Sequence, residues 1–139
     1  MAQESATPDL VEVVAGLFEA ADRGDWDTVL SAYAPYAVLE TADGVFDAVS
    51  PARMRGFWEE VAATFEDFAI KVETVVDLGN GIVYSIYRAE GRLAESTGVV
   101  TERTAMIYEW VDGRITRLIT RPDIDEARAA AERLAEERG

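Results

Sequence analysis

Two helical patterns of apolar residues occupy the N-terminal part of the chain. In the first, apolar side chains recur every three or four positions from Leu10 to Ala21, the spacing that places them on one face of an α-helix. Gly24 ends this helix, Asp25 caps the next one, and the second apolar stripe continues to Pro35. Each helix should therefore bury one face against the rest of the protein.

Caps and prolines mark two helix starts. Thr7 before Pro8 suits the cap and first residue of the first helix, and residues 1–6, which have no periodicity, are expected to form a disordered tail. Ser50 before Pro51 opens a third helix in the same way. Its apolar stripe consists of Met54, Phe57, Trp58, Val61 and Phe65.

The second half of the chain has the composition of β-strands. Runs rich in Val, Ile, Thr and Tyr lie near residues 68–78, 82–95, 98–111 and 114–121. Asn80-Gly81 and Asp112-Gly113 fall between runs and suit type I′ hairpin turns, because they tolerate a positive φ. The pattern predicts an antiparallel meander, preceded by a short strand at 38–41.

The chain ends in a helix with a weak apolar face. Pro122 ends the last strand, and small apolar side chains then recur at helical spacing, at Ala127, Ala130, Ala131 and Leu134. A face made mostly of alanine predicts loose docking. Helices followed by a long meander predict a single α+β domain over residues 1–139. Three N-terminal helices should pack on the concave face of a curved antiparallel sheet and enclose an apolar pocket.

Charge and composition narrow the classes of function. Thirteen Lys and Arg against 27 Asp and Glu give a net charge of −14, so neither nucleic acid nor an anionic membrane is an expected partner. No apolar run approaches the roughly 20 residues of a transmembrane helix, and the start lacks a leader pattern, so a cytoplasmic location is expected. The chain has no Cys and no His, which excludes thiol nucleophiles, imidazole shuttles and the usual zinc ligands. Acid–base chemistry would fall to carboxylates, Tyr, Lys or Arg, and no metal or organic cofactor is expected.

Four segments carry a resemblance to a known fold family: Gly24-Asp25-Trp26, Tyr33-Ala34, 112–115 and 122–127. In their order they resemble the nuclear-transport-factor-two-like superfamily, which includes ketosteroid isomerase, SnoaL-type polyketide cyclases and limonene epoxide hydrolase. The resemblance is to a SnoaL-like or ketosteroid isomerase-like member, and it implies a cone-shaped sheet with a small-molecule pocket. Each segment maintains the fold, and none is a catalytic signature.

The resemblance also implies which positions line that pocket. The tyrosine, base and second acid of ketosteroid isomerase align with Phe18, Thr41 and Met106, so steroid isomerisation by that mechanism is not expected. The implied ligand-binding positions are Phe18, Tyr33, Phe57, Trp58, Tyr84, Met106, Tyr108 and Leu118. The alternative for the aromatic residues at helical spacing is that they simply form core.

Glu40 is the preferred candidate for a proton carrier. It lies one residue before the aligned base position, at the end of a strand that in relatives delivers side chains toward the pocket mouth. A carboxylate partly desolvated among aromatic side chains would have a raised pKa and could exchange protons near neutral pH. The alternative is a solvent-facing or salt-bridged Glu, since a one-residue change of register reverses the facing of the strand.

Arg88 and Glu90 form a second candidate pair. They lie two residues apart on one predicted strand and therefore share a face. In limonene epoxide hydrolase an Arg and an Asp spaced this way position a water with a third acid, whose place aligns here with Thr120. That triad is incomplete in this chain. The alternative is a surface ion pair, worth at most about 1 kcal/mol.

The last strands bear on assembly. The resemblance implies that the Met106 side of its strand faces the pocket and that Ile107, Ile115 and Ile119 face outwards. An outer face this apolar predicts a homodimer through the sheet.

Two functions remain open from the sequence. The first is a cofactor-independent isomerase, cyclase or hydrolase that uses pocket carboxylates on a small apolar or carbonyl-bearing molecule. The second is a non-catalytic ligand-binding or dimerisation module of the same fold. A titrating carboxylate in a roomy cavity would favour the enzyme, whereas a cavity filled by Trp58, Met106 and Tyr108 would favour the module.

Overall fold

The structure, a computed structural model, describes residues 9–41, 44–46, 51–93 and 98–139. The predicted tail at 1–6 and the predicted caps Thr7 and Ser50 lie outside these residues. The elements in chain order are α1 (Leu10–Asp22), α2 (Trp26–Ser31), β1 (Tyr33–Thr41), β2 (Gly44–Phe46), α3 (Pro51–Ala63), β3 (Phe65–Gly79), β4 (Ile82–Leu93), β5 (Val99–Val111), β6 (Arg114–Arg121) and α4 (Ile124–Arg138).

The strands form one curved, unclosed sheet with the order β2-β1-β6-β5-β4-β3. β3 to β6 are the predicted antiparallel meander. The residues of both predicted turns have positive φ, 57° and 81° at Asn80-Gly81 and 52° and 81° at Asp112-Gly113. The prediction of a wholly antiparallel sheet is wrong at one pair, because β1 runs parallel to β6. The sheet is therefore mixed, and the α+β class is confirmed.

A side-chain cap fixes the start of α1, and strand pairing fixes the end of α2. The Asp9 carboxylate caps α1 by accepting hydrogen bonds from the N–H groups of Val11 and Glu12. α2 ends at Ser31 rather than at Pro35. The reason is tertiary, since the following residues pair with β6 and the Ile115 N–H donates to the Ala32 carbonyl.

Each face of the sheet is covered by different helices. α1 and α2 pack on the concave face, and α3 lies beside them against β3. The core on this face includes Val14, Leu17, Phe18, Trp26, Val29, Tyr33, Leu39, Ile70, Val83, Tyr87, Met106, Tyr108, Trp110 and Leu118. α4 packs on the outer face, where the core consists of Ile82, Tyr84, Ala105, Ile107, Ile119, Ala127, Ala131 and Ala135.

The outer face corrects two expectations. Ile107 and Ile119 are 1% and 5% exposed beneath α4, so they present no open surface for a dimer. Ile115 lies in the other core, because a register irregularity between Glu109 and Trp110 pairs Trp110 with Ile115. The expectation of loose docking also fails, since alanine lets the α4 backbone approach the sheet closely.

Candidate functional site

A small apolar cavity lies between the concave face and the helices. Its volume is about 30 Å³, which is room for one or two water molecules. The lining residues are Leu17, Phe18, Ala21, Trp26, Val29, Tyr33, Trp58, Phe68, Ile70, Met106 and Tyr108. We call this space the inner cavity.

One wall of the inner cavity belongs to α3. The rings of Trp26 and Trp58 stack with centroids 6.5 Å apart and planes 10° apart. An ion pair between Arg55 and Asp27 joins the same two helices on the surface. The described contacts between α3 and α2 thus include an aromatic stack and an exposed ion pair, and exposed ion pairs contribute about 1 kcal/mol at most.

The polar groups of the inner cavity are phenols. Burial raises the pKa of Tyr33 and of Tyr108, so both hydroxyls are neutral hydrogen-bond donors at physiological pH. The Tyr108 hydroxyl donates to the Met106 sulfur at 3.2 Å, and a thioether is a weak acceptor. The Tyr33 hydroxyl has no hydrogen-bond partner among the residues that the structure describes. The Tyr33 hydroxyl is therefore available to an oxygen atom of a bound molecule, and the Tyr108 hydroxyl would have to exchange its weak sulfur acceptor for that oxygen.

A second cavity, which we call the mouth cavity, lies next to the first. Its volume is about 100 Å³, and its lining residues are Phe65, Phe68, Tyr87, Ala89, Glu90, Val100, Glu102 and Thr104. Phe68 lines both cavities and lies between them. The mouth cavity is the more polar of the two, because Glu102, Tyr87 and Thr104 line it and Glu90 borders it.

Tyr87 contacts residues of both cavities. Its ring contacts Phe18 of the inner cavity with centroids 5.4 Å apart. Burial raises the pKa of Tyr87, a hydrogen bond with Thr104 opposes this shift, and the negative charge of Glu102 adds to it. The Glu102 carboxylate is therefore close enough to the Tyr87 hydroxyl for its charge to raise the pKa of that hydroxyl.

Most of the predicted ligand-binding positions lie where the sequence placed them. The inner cavity is lined by Phe18, Tyr33, Trp58, Met106 and Tyr108. Leu118 is fully buried in the core of the same face and is not a lining residue. The side chain of Phe57 lies outside the described residues.

Tyr84 is placed wrongly by the sequence prediction. It lies on the outer face, where its hydroxyl donates to the Ile124 carbonyl at 3.0 Å and the Arg128 guanidinium lies 5.4 Å from its ring centroid. Side chains alternate along β4, so Val83 and Tyr87 face the concave side while Tyr84 faces α4.

Glu40 is a structural residue in this arrangement. It pairs with Ile119 on β6, and its carboxylate accepts hydrogen bonds from Arg117 at 2.7 Å and from Arg121 at 2.5 Å. The hydrogen bonds from Arg117 and Arg121 outweigh burial and lower the pKa of Glu40. The prediction of a raised pKa is wrong, because parallel pairing directs Leu39 into the core and Glu40 to the other face.

Arg88 and Glu90 form the ion pair that was the alternative interpretation. The Arg88 Nε lies 3.2 Å from the Glu90 Oε1, and both side chains are at least one-third exposed. They alternate with Tyr87 and Ala89, which belong to the concave core, and so project from the opposite face. Glu90 still borders the mouth cavity, whereas Arg88 lines neither cavity.

Sequence reasoning missed the contribution of β3 and of the far ends of β4 and β5. Phe68 and Ile70 come from β3, whose irregular register hides its inward positions. Glu102 and Thr104 share a parity with Met106, the side that the resemblance placed toward the pocket, but they were not among the predicted site residues. Among the described residues, no carboxylate lines the inner cavity, and no group of three or more His, Cys, Asp or Glu could hold a metal ion.

Comparison with solved structures supports the architecture. A protein from Burkholderia pseudomallei described as NTF2-like and of unknown function superposes with a TM-score of 0.71 at 16% identity, over 86% of this chain and 95% of that one. A candidate polyketide cyclase from Xanthomonas campestris gives a TM-score of 0.65 at 19% identity, over 86% and 94%. A protein from Catenulispora acidiphila with a ketosteroid isomerase-like fold, in complex with trimethylamine, gives 0.65 at 14% identity, over 83% and 85%. At these identities the likeness shows the fold alone.

Sequence comparison assigns the family. No curated protein matches the chain. In the described part of the chain, no helix is long and apolar enough to cross a membrane. The family model of the SnoaL-like domain matches residues 14–118, which span α1 to β6 and include every residue that lines the two cavities. This chain therefore belongs to the SnoaL-like domain family.

Proposed function

We propose that this protein binds a small apolar molecule carrying a carbonyl or hydroxyl oxygen in the space formed by the two cavities. The observation that carries the proposal is the pair of buried, neutral phenols in an otherwise apolar wall. A ligand oxygen placed against Tyr33 would accept a hydrogen bond from its hydroxyl, which contributes about 0.5–1.5 kcal/mol.

The positions of Glu40, Arg88 and Glu90 favour a binding function over catalysis by a carboxylate. Glu40 is held ionised by two arginines on the outer side, and Arg88 pairs with Glu90. A general base must reach the proton that it abstracts, and the described walls of the inner cavity contain no carboxylate. The trimethylamine complex of one similar structure supports small-molecule binding by this fold.

Ligand entry requires side chains to move. Small-molecule sites are usually about 300–1,000 Å³, larger than either cavity. Phe68 lies between the cavities, and Trp58 is carried by α3, whose contacts with α2 include the Trp26 ring and the Arg55–Asp27 ion pair. Rotation of these two rings would join the cavities into one site.

The binding test uses 2-indanone, a bicyclic apolar ketone, titrated into the protein while tryptophan fluorescence is recorded, because Trp26 and Trp58 line the inner cavity. Ala21→Leu fills part of that cavity and should weaken binding at least tenfold. Ala129→Leu makes the same change on an exposed position of α4 and should bind like the unchanged protein. Equal affinities in the two variants, or no binding of 2-indanone, would exclude the proposed site.

A second candidate function is cofactor-independent isomerisation or cyclisation of a carbonyl compound. It is favoured by the neutral phenols, which can polarise a carbonyl, and by Glu102, a carboxylate near the Tyr87 hydroxyl. The test is proton abstraction from 2-indanone, which NMR detects as hydrogen–deuterium exchange at the carbon atoms beside its carbonyl. Exchange above the buffer rate that disappears in Glu102→Gln supports this function, and exchange at the buffer rate rejects it.

The homodimer and the cytoplasmic location expected from the sequence stay predictions. Because α4 covers Ile107 and Ile119, a dimer needs a different surface. Light scattering at micromolar concentration should give twice the chain mass of 15.3 kDa if the protein is a dimer.

A further inference from the structure

The mouth cavity combines aromatic rings with an unpaired negative charge. Phe65, Phe68 and Tyr87 provide the rings, and Glu102 provides the charge. Glu102 is exposed to solvent, and it differs from an isolated surface carboxylate because the three rings line the same cavity.

Ring packing and the absence of a side chain at Gly91 position the rings of the mouth cavity. Phe65 and Phe68 pack with centroids 5.9 Å apart and planes 24° apart. Gly91 is buried, and a Cβ added there would lie 2.6 Å from the Phe65 Cβ, so the glycine leaves the room that Phe65 occupies over β4. The faces of aromatic rings carry partial negative charge and attract cations within about 6 Å.

The cations near the mouth cavity already have partners. Arg88 pairs with Glu90, Arg92 with Asp67 at 2.6 Å, and Arg103 makes a two-pronged contact with Glu73 at 3.0–3.2 Å. Within the described ranges, Glu102 has no ion-pair partner.

The charge at the mouth is therefore negative and uncompensated. The net charge of −14 adds a field of the same sign, which draws small cations toward the protein and repels anions.

We propose that the mouth cavity binds an alkylammonium group, so that the ligand of this protein is an apolar molecule with a basic amine at one end. The ammonium lies among the three rings and pairs with the Glu102 carboxylate. The apolar body of the ligand extends past Phe68 into the inner cavity. This inference rests on the proposed function, because it uses the same joined space and specifies the charge of its occupant.

The test compares three probes that share one carbon skeleton: 2-aminoindane, 2-indanol and indane-2-carboxylate. Calorimetric titration at pH 7 and low salt should rank the affinities ammonium over alcohol over carboxylate, with at least a tenfold difference between the first and the last. Raising the salt concentration should weaken binding of 2-aminoindane and leave 2-indanol unchanged.

Two variants with equal net charge assign the effect to the mouth cavity. Glu102→Gln should weaken 2-aminoindane about tenfold while leaving 2-indanol unchanged. Glu137→Gln removes one charge from an exposed position of α4 and should leave both affinities unchanged. If Glu102→Gln does not fold, Phe65→Leu replaces it, and the preference for 2-aminoindane over 2-indanol should fall about threefold.

The outcomes separate the two proposals. If 2-indanol binds and indane-2-carboxylate binds as tightly as 2-aminoindane, the inference is wrong and the proposed function stands. If Glu102→Gln and Glu137→Gln weaken 2-aminoindane equally, the effect is one of net charge, and the site is again rejected. If no probe binds the unchanged protein, both proposals fail together.

Discussion

The two faces of the sheet differ in how much apolar side chain they bury and in how they satisfy their polar groups, and the larger core is on the concave face. Under α4, the Tyr84 hydroxyl donates to the Ile124 carbonyl, and the Asn80 side chain donates to the Ala135 carbonyl at 2.6 Å. On the concave face, the Trp110 Nε1 is buried without an acceptor, and the Tyr33 hydroxyl has no partner among the described residues. The outer face is a closed structural contact, whereas the concave face retains hydrogen-bonding capacity.

Side-chain size explains the difference. The small side chains of Ala127 and Ala131 are fully buried against the sheet, and the space beside this contact is an open surface groove lined by Leu78, Asn80 and residues of α4. Large rings at Trp26, Trp58 and Phe68 cannot interdigitate as closely, and two cavities remain. Native cores are close-packed and satisfied in their hydrogen bonds, so departures from both conditions on one face indicate where a ligand fits.

The largest expected effect comes from placing a charge under α4. Ile107→Asp should lower the free energy of unfolding by more than about 3 kcal/mol, because the carboxylate would be buried without a partner. Val111→Asp, at an exposed position on the same strand, should change it by less than about 0.5 kcal/mol. Urea denaturation measures both. A stable Ile107→Asp protein whose mass drops from dimer to monomer would show that this face is an intermolecular interface instead.

A second prediction contrasts added volume on the two faces. Ala131→Leu should destabilise the protein by about 2 kcal/mol, because α4 leaves no room for the extra carbons. Ala21→Leu, at the wall of the inner cavity, should destabilise it by about 1 kcal/mol or less, because the cavity takes up part of the added side chain. The exposed Ala129→Leu corrects both values for helix propensity. Equal losses at Ala21 and Ala131 would mean that the two faces are packed equally well.

The third prediction concerns the Glu40 cluster. Glu40→Gln should cost about 1–2 kcal/mol at pH 7, since it leaves Arg117 and Arg121 half-buried without their carboxylate. Glu73→Gln breaks the more exposed contact with Arg103 and should cost less than half as much. Because the arginines lower the Glu40 pKa, the stabilisation is complete above the unfolded value of about 4.5 and is lost as pH falls through the lower folded pKa.

Denaturation curves from pH 7 to pH 2 test the sign. The difference in stability between the unchanged protein and Glu40→Gln should shrink on acidification below about pH 4.5. Asp22, whose pKa is lowered by Lys71 and by the Ile70 N–H, contributes in the same direction to both proteins and cancels in the difference. A difference that grows as the pH falls would mean that Glu40 is not held ionised.

The smallest effects come from removing single hydroxyl groups. Tyr84→Phe should cost about 1 kcal/mol, because the part-buried hydrogen bond from its hydroxyl to the Ile124 carbonyl is lost. Tyr33→Phe should leave stability unchanged within about 0.5 kcal/mol and weaken 2-indanone several-fold. Thermal unfolding and the fluorescence titration give the two readouts. A Tyr33→Phe protein that loses stability and keeps its affinity would assign that hydroxyl to the core.

Local signals in the sequence were sufficient for much of the fold. Asn80-Gly81 and Asp112-Gly113 each form the turn that was predicted, because a positive φ is a property of the turn residues themselves. The helical spacing that placed Phe18 and Trp58 on inward faces is also local, and both residues line the inner cavity.

By contrast, tertiary structure decided which side chains of β1 and β6 point toward the concave core. Parallel pairing sets Leu39 opposite Leu118 and Glu40 opposite Ile119, and one irregularity at Trp110 moves Ile115 into the concave core. Strand side chains repeat every two residues, so a shift of one position exchanges the two faces without changing the local pattern. The sequence by itself therefore determined the elements and their order, while the pairing of distant strands determined which carboxylates reach a cavity.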